Sequence, residues 1–310
     1  MKAMRVNTSA EGPVLTEAEL PQPTPGDGEL LIRVRAAGVT PPELLWYPTT
    51  HTREGAQRLG AVPGHEFSGV IAGRGKGVDG FHTGQEVYGL NDWFADGATA
   101  ECCLTRPQNV AAKPASLTHE AAASVPIGAL TAWQGLFDRA RLQPGERVLV
   151  HGAAGSVGTF AVQLAHLHGA RVLATASSIN LKFVKELGAD EAFDYRTSRF
   201  EHEVEDVDVV FDGVGGETRD RSWGTLNPGG RLVTIASDSA DAHDQRAKEA
   251  FFIVEPNQKQ LIEIARLLDA GKLKTFVSVA VPLTEASDAY TRSLGNKLPY
   301  GKVVVVVPKQ

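Results

Sequence analysis

Val148-Leu149-Val150-His151-Gly152-Ala153-Ala154-Gly155-Ser156-Val157-Gly158 is the stretch that decides the fold of this chain. An apolar run ends in three closely spaced glycines, and Thr159-Phe160-Ala161-Val162-Gln163-Leu164-Ala165 follows at helical spacing. The pattern predicts a strand, a tight turn and a helix N-terminus. Unpaired backbone N–H groups and a partial positive charge at such a terminus suit a pyrophosphate. Small residues at 153 to 155 let the backbone approach a ligand, and Gly158 lets the helix lie close on the sheet. Ala154, Gly155, Ser156 and Val157 are therefore expected to hold a dinucleotide. A glycine motif alone is weak evidence, so its surroundings carry the weight.

Those surroundings alternate strands with helices. Arg171–Ala176 and Glu191–Tyr195 read as the second and third strands, with a helix from Asn180 to Leu187 stopped by Gly188 between them. Val207–Asp212 and Arg231–Ile235 are further apolar runs, and Phe251–Val254 is expected as a sixth strand ended by Glu255-Pro256. The alternation implies a doubly wound parallel sheet with right-handed crossovers. An enzyme for the unphosphorylated dinucleotide usually carries Asp or Glu after the second strand, to hold the ribose 2′-hydroxyl. Here Thr175-Ala176-Ser177-Ser178-Ile179-Asn180 carries none. Ser177, Ser178 and Asn180 can donate hydrogen bonds to a 2′-phosphate, with Lys182, Tyr195 and Arg196 as neighbours. NADPH is the expected cofactor; an ordinary polar turn is the other reading of the same residues.

Composition sets outer limits. At 310 residues the chain suits two domains, and 42% hydrophobic with 22% charged residues describes an ordinary globular protein. A net charge of −6 and the lack of any Lys/Arg-rich block argue against nucleic acid or an anionic membrane as partner, leaving a small-molecule substrate. Cys102 and Cys103 are adjacent, which leaves no disulfide framework. No 18-residue apolar run and no signal-peptide core is present, so a cytoplasmic enzyme is expected.

The first third is patterned differently. Leu30–Val39 alternates as a strand, and Gly64 to Gly89 is a series of short strands punctuated by glycine, as in an antiparallel β-barrel. Helical texture begins at Thr118, a fair N-cap, with Glu120 in the first turn. Near the C-terminus, a helix from Gln258 to Leu268 stops at Gly271, and Val303–Val307 reads as a strand completing the barrel. The expected division is 1–122, 123–274 and a return over 275–310, with a cleft between the two closely apposed domains.

Several motifs in order resemble the medium-chain dehydrogenase/reductase superfamily, specifically its zinc-free NADPH quinone oxidoreductase (zeta-crystallin-like) branch. They are Ala36-Ala37-Gly38-Val39, Val62-Pro63-Gly64-His65-Glu66-Phe67-Ser68-Gly69, Gly84-Gln85-Glu86-Val87-Tyr88-Gly89 and Asp96-Gly97-Ala98-Thr99-Ala100-Glu101. Gly128–Gln134, Pro144–Gly152, Leu187-Gly188-Ala189-Asp190 and Gly301-Lys302-Val303-Val304 continue the match over nearly the whole chain. One departure is Ser156, where the branch usually has glycine. The resemblance implies a Rossmann domain inserted into a GroES-like domain, and a homodimer joined through a sheet edge, for which Phe251–Val254 is the expected strand. It also implies that Thr131 meets the nicotinamide half of the cofactor, that Val214, Ala236, Ser237 and Ile253 line its path, and that Lys302 returns beside the nicotinamide.

Metal is not expected. Two cysteines cannot build a four-thiolate structural site, and the position where zinc-dependent relatives place a cysteine holds Thr40. His65 matches a histidine ligand of those relatives but lacks its partners; a cluster of His51, His65 and Glu66 is the alternative. Without a zinc ligand set, hydride addition to a quinone or an α,β-unsaturated carbonyl is easier than alcohol oxidation, because charge spreads onto an oxygen that hydrogen-bond donors can satisfy. Thr40 and Glu43 stand where relatives carry Asn and Asp. Thr40, Trp46, Tyr47 and Trp93 are expected in the substrate pocket, Tyr47 as a donor to the substrate oxygen and the tryptophans as faces for a flat ring. No catalytic residue is singled out. The alternatives are an enoyl-thioester reductase, with Arg53 and Arg58 as the cations near the cleft, or a non-catalytic NADPH-binding protein.

Overall fold

Alternation along β3 (Leu30–Gly38) puts Leu30, Ile32, Val34 and Ala36 fully inside, and this strand organises the first sheet. The computed structural model describes residues 1–9, 12–291 and 300–308. The chain enters by an antiparallel ribbon of β1 (Lys2–Ser9) and β2 (Gly12–Glu19), which sequence reading did not anticipate. β4 (Glu66–Arg74), β5 (Glu86–Leu90), β6 (Cys102–Thr105) and β7 (Val110–Ala112) then build antiparallel pairs around β3.

The middle of the chain forms a separate parallel sheet of β8 (Arg147–His151), β9 (Arg171–Ala176), β10 (Glu191–Asp194), β11 (Val207–Asp212) and β12 (Leu226–Thr234). Their order is β10-β9-β8-β11-β12, so the direction of winding reverses between β8 and β11. A crevice opens at such a switch point, at the carboxyl ends of the strands. Val148 and Val150 face one hydrophobic core and Leu149 the other, as the two-residue period of a strand buried on both faces requires. Together with the first sheet, this is the two-domain arrangement that the resemblance implied.

Short helices complete the layers. α1 (Tyr47–Thr50) follows a tight turn over Pro41–Leu45, and α2 (His119–Ala123) is capped by Thr118, whose hydroxyl accepts from Ala121 N–H at 3.3 Å. α3 (Pro126–Trp133), α4 (Gly158–Leu167) and α8 (Gln258–Asp269) pack the core shared by the two sheets. α5 (Leu181–Glu186), α6 (Gly216–Ser222) and α7 (Gln245–Ala250) flank the parallel sheet, and α9 (Ala286–Thr291) follows β13 (Val277–Pro282). The last strand, β14 (Lys302–Val306), lies antiparallel on β3 with Val304 opposite Gly38 and Val305 opposite Ala37. Continuing that register places Lys302 opposite Thr40.

One expected strand is absent. Phe251–Val254 makes only an isolated bridge, Phe251 to Thr234, so the sheet edge is β12 and not this segment. Side chains have taken the backbone groups that a ladder would use. Trp93 Nε1 donates to Val254 O at 2.9 Å, Gln134 Nε2 donates to Glu255 O at 2.8 Å, and Glu255 N donates to Gln134 Oε1 at 3.0 Å. Phe252 and Val254 meanwhile turn into the core.

Gly158 opens α4 where the helix lies on the glycine turn. A Cβ there would fall 2.7 Å from Ala153 Cα and closer still to Gly152 O, backbone atoms that cannot swing aside. Gly158→Val is expected to lower stability by about 1–3 kcal/mol, measured by urea unfolding.

Candidate functional site

The switch-point crevice is a cleft of about 590 Å³ between the ends of β8, β9 and β11. Ala154 and Gly155 form its floor at the start of α4, with Ser156 and Val157 in the same turn. Gly152 takes φ +69°, a left-handed conformation that a side chain would strain, and so turns the chain from β8 into the loop. Gly128 of α3 approaches Ser156 O too closely for any side chain, which locks the first sheet's flanking helix onto this loop.

Loop positions around the cleft are set from beneath by Asp212. Its carboxylate accepts from Val214 N (2.9 Å), Gly215 N (3.0 Å) and the Thr234 hydroxyl (2.7 Å). Val214 is thereby held outward, 53% exposed, and Tyr195 across the cleft is 55% exposed. Two apolar faces left open on either side of a polar trough suit an adenine. Ser177 lines the cleft at the end of β9, while Ser178 is exposed in the following turn. Asn180 differs from expectation in one respect: it is buried, and its Nδ2 donates to Ser177 Oγ at 3.2 Å, so it braces Ser177 within the wall. Thr218 and Arg221 of α6 also line the cleft, and Arg221 pairs with Glu201 at 3.1 Å. Sequence reading missed both because nothing in α6 marks which face meets β8.

Under this floor lies His151, fully buried between Thr175 Oγ1 and Ser222 Oγ, each at 2.9 Å. Burial pushes its imidazole down to about 4, against the nearby Asp212 charge, so it stays neutral. Further along the cofactor path, Ala236 is half-buried, Ser237 exposed, and Ile253 60% exposed. Thr131 is buried inside α3, where its hydroxyl donates to Ile127 O at 2.6 Å.

A cluster of buried charges lies where β4, β14 and α3 meet. Glu66 is fully buried at the start of β4; its Oε2 accepts from Ile127 N at 2.9 Å, and its Oε1 is ion-paired with Lys302 Nζ. Burial raises the Glu66 carboxyl, and the Lys302 ammonium opposes that rise. Lys302 Nζ also donates to Thr40 Oγ1 at 2.8 Å. Glu43, on the turn after Thr40, is equally buried and accepts from Gly64 N (2.8 Å), Tyr290 Oη (2.6 Å) and His65 Nδ1 (3.1 Å). Burial, then the Glu43 charge, holds the Tyr290 phenol well above its ordinary range. His65 Nε2 is buried without a hydrogen-bond partner, its ring 5.1 Å from that of Trp93. Trp93 meets Trp46 edge-on at 5.2 Å, and both are half-buried. Tyr47 is 54% exposed with its ring stacked on His51 at 4.5 Å. Among the described residues, no three His, Cys, Asp or Glu side chains are grouped to hold a metal. Nothing in the sequence placed Tyr290 here, 247 residues from Glu43.

Residues 26–117 match the alcohol dehydrogenase GroES-like domain, and residues 187–305 match the zinc-binding dehydrogenase family. The chain is 32% identical to the probable zinc-binding oxidoreductase, mitochondrial, of Arthroderma benhamiae, over 97% of this chain and 96% of that one. It belongs to the medium-chain dehydrogenase/reductase superfamily, in its quinone oxidoreductase branch. The quinone oxidoreductase of Coxiella burnetii superposes with a TM-score of 0.87 at 28% identity, over 99% of both chains. The CurK enoyl reductase superposes with a TM-score of 0.81 at 29% identity, over 98% of this chain and 99% of that one. This oxidoreductase therefore uses a nicotinamide cofactor, as its family does, and the cleft fits one. No helix among its described residues is long and apolar enough to cross a membrane.

His151 gives the fold a pH dependence. An imidazole at 6.5 when unfolded and about 4 when folded stabilises the native state fully above pH 6.5. That contribution is lost as pH falls toward 4, because only the unfolded chain takes up the proton, with a slope of at most about 1.4 kcal/mol per unit. Urea unfolding between pH 7 and 4 is expected to show this slope, and His151→Asn to flatten it.

Proposed function

We propose that this oxidoreductase transfers hydride from NADPH to a quinone or an α,β-unsaturated carbonyl without a metal ion. The observation that carries the reading is Lys302: its ammonium bonds Thr40 and Glu66, two of the side chains that a catalytic zinc would have to recruit. A zinc ion does not fit there. Threonine replaces a thiolate, Glu66 is taken by a cation and a backbone N–H, and a second positive charge would sit against the ammonium. His65 Nε2 alone remains as a ligand atom.

When bound, the dihydronicotinamide supplies the hydride; the protein orients the partners and excludes water. Trp46 and Trp93 offer ring faces beside His65 for a flat acceptor, and Tyr47 offers a phenol at the mouth. Lys302, which the resemblance puts beside the nicotinamide, is buried and bonds Thr40 and Glu66. NADPH over NADH rests on the lack of a carboxylate after β9 and on Ser177, braced by Asn180, facing the cleft beside Tyr195. An enoyl thioester is the second acceptor class, favoured by the likeness to CurK enoyl reductase. Against it, the two cations near the mouth are already engaged, Arg53 with Asp92 and Arg58 with Asp96. We also place the protein in the cytoplasm and assign it as a homodimer joined through β12; sedimentation as a monomer would refute the latter.

NADPH oxidation by purified protein of measured metal content, offered an ortho-quinone, a short 2-alkenal and an enoyl-CoA, tests the assignment. Turnover of the quinone or alkenal that survives chelation is expected; binding of NADPH with no acceptor turned over would leave a binding protein. Ser177→Asp should cut kcat/KM for NADPH at least about tenfold while sparing NADH, because a carboxylate repels the 2′-phosphate and accepts from the 2′-hydroxyl.

A further inference from the structure

We propose that the Thr40 hydroxyl is the donor that holds the oxyanion formed on the substrate, and that Lys302 acts through it as a fixed cation. The inference rests on the quinone and enone reading above. β14 lies on β3 in a register that sets Lys302 opposite Thr40, and the link is made at 2.8 Å. Anchoring Lys302 alone would need only Glu66. The second bond goes to a half-buried hydroxyl, and that bond has a consequence for the proton on Thr40. An oxygen that accepts from an ammonium directs a lone pair at it, and its own O–H then points away with its acidity raised.

The neighbouring acids are held so that neither competes for that hydrogen. Glu66 is fixed on one oxygen by Lys302 and on the other by Ile127 N–H at the start of α3. Glu43 accepts from three donors, Gly64 N, Tyr290 Oη and His65 Nδ1. The ammonium cannot withdraw either, because Lys302 is buried and paired with a fully buried carboxylate. A preorganised donor backed by an immobile charge is the arrangement that stabilises charge developing in a transition state.

Hydride adds to the β-carbon of an enone, or to one oxygen of a quinone; the conjugated π pair shifts toward the remaining carbonyl carbon, that carbonyl's π pair moves onto its oxygen, and NADPH is oxidised to NADP⁺. The resulting enolate or hydroquinone anion is bonded by Thr40 O–H, and solvent supplies the proton that completes the reduction as the product leaves. Thr40 touches the reacting oxygen and is a catalytic residue in this scheme; Lys302 is a positioning residue.

Thr40→Val is expected to lower kcat about 100-fold with acceptor KM changed only a few-fold, and Thr40→Ser to restore most of it. A second readout needs no turnover. 4-Nitrophenolate, a flat-ring anion with its charge on an exocyclic oxygen, is titrated into the NADP⁺ complex and followed by its absorbance. Wild type should bind it as the anion, and Thr40→Val at least about tenfold more weakly. Lys302→Met is paired with Glu66→Gln so that no buried carboxylate is orphaned. That double variant should weaken the phenolate comparably, and adding Thr40→Val should cost little more, since both act on one bond. Unchanged phenolate binding in Thr40→Val, or strictly additive losses, would overturn the proposal. If wild type turns over neither quinone nor alkenal, the functional reading fails, and the phenolate titration still decides the role of Thr40.

Discussion

The ion pair between Glu66 and Lys302 is the constraint on which the rest of the site depends. Two charges buried at the meeting of β4, β14 and α3 are costly unless each has partners in good geometry. The groups come from four distant parts of the chain: Glu66 and Lys302 themselves, Ile127 N–H at the start of α3, and Thr40 just after β3. Satisfying those charges therefore sets where α3 begins relative to the barrel-like sheet. Because Gly128, one residue on, touches the glycine turn at Ser156, the same constraint sets where the cofactor loop lies.

A second buried acid network sits beside the first and works differently. Glu43 is ringed by donors from Gly64, His65 and Tyr290, so the loop before β4, the histidine and the C-terminal helix α9 are held by one carboxylate. Trp93 extends this wall to the cofactor domain, packing on His65 and donating to Val254 O. The outcome is a set of polar groups already oriented by their hydrogen bonds, with Thr40 as a half-buried hydroxyl beside them. Preorganisation of this kind serves a reaction in which charge moves onto one oxygen.

Much of this was legible along the chain, for reasons that differ by element. The Rossmann unit was readable because its signals are local: a glycine turn between a valine-rich strand and an apolar helix, and Gly188 at φ +114° ending the next helix. The membership in the quinone oxidoreductase branch rested on short motifs spread from Ala36 to Val304. Phe251–Val254 was misread because an apolar run looks like a strand whatever its backbone bonds to, and here Trp93 and Gln134 supply those bonds. The ribbon of β1 and β2 was overlooked because its face is mostly polar, with only Leu15 buried along β2.

By itself the sequence determined the strand–turn–helix chemistry of the cofactor loop, the missing carboxylate after β9, and the threonine where zinc-dependent relatives carry a cysteine. All three are properties of residues close together in the chain. Only the tertiary structure decided that Lys302 lies across from Thr40, that Tyr290 serves Glu43, and that Arg221 faces the same cleft as Ser177. Those pairings join positions far apart in the chain, and strand register and helix packing, not local pattern, determine which distant side chains meet.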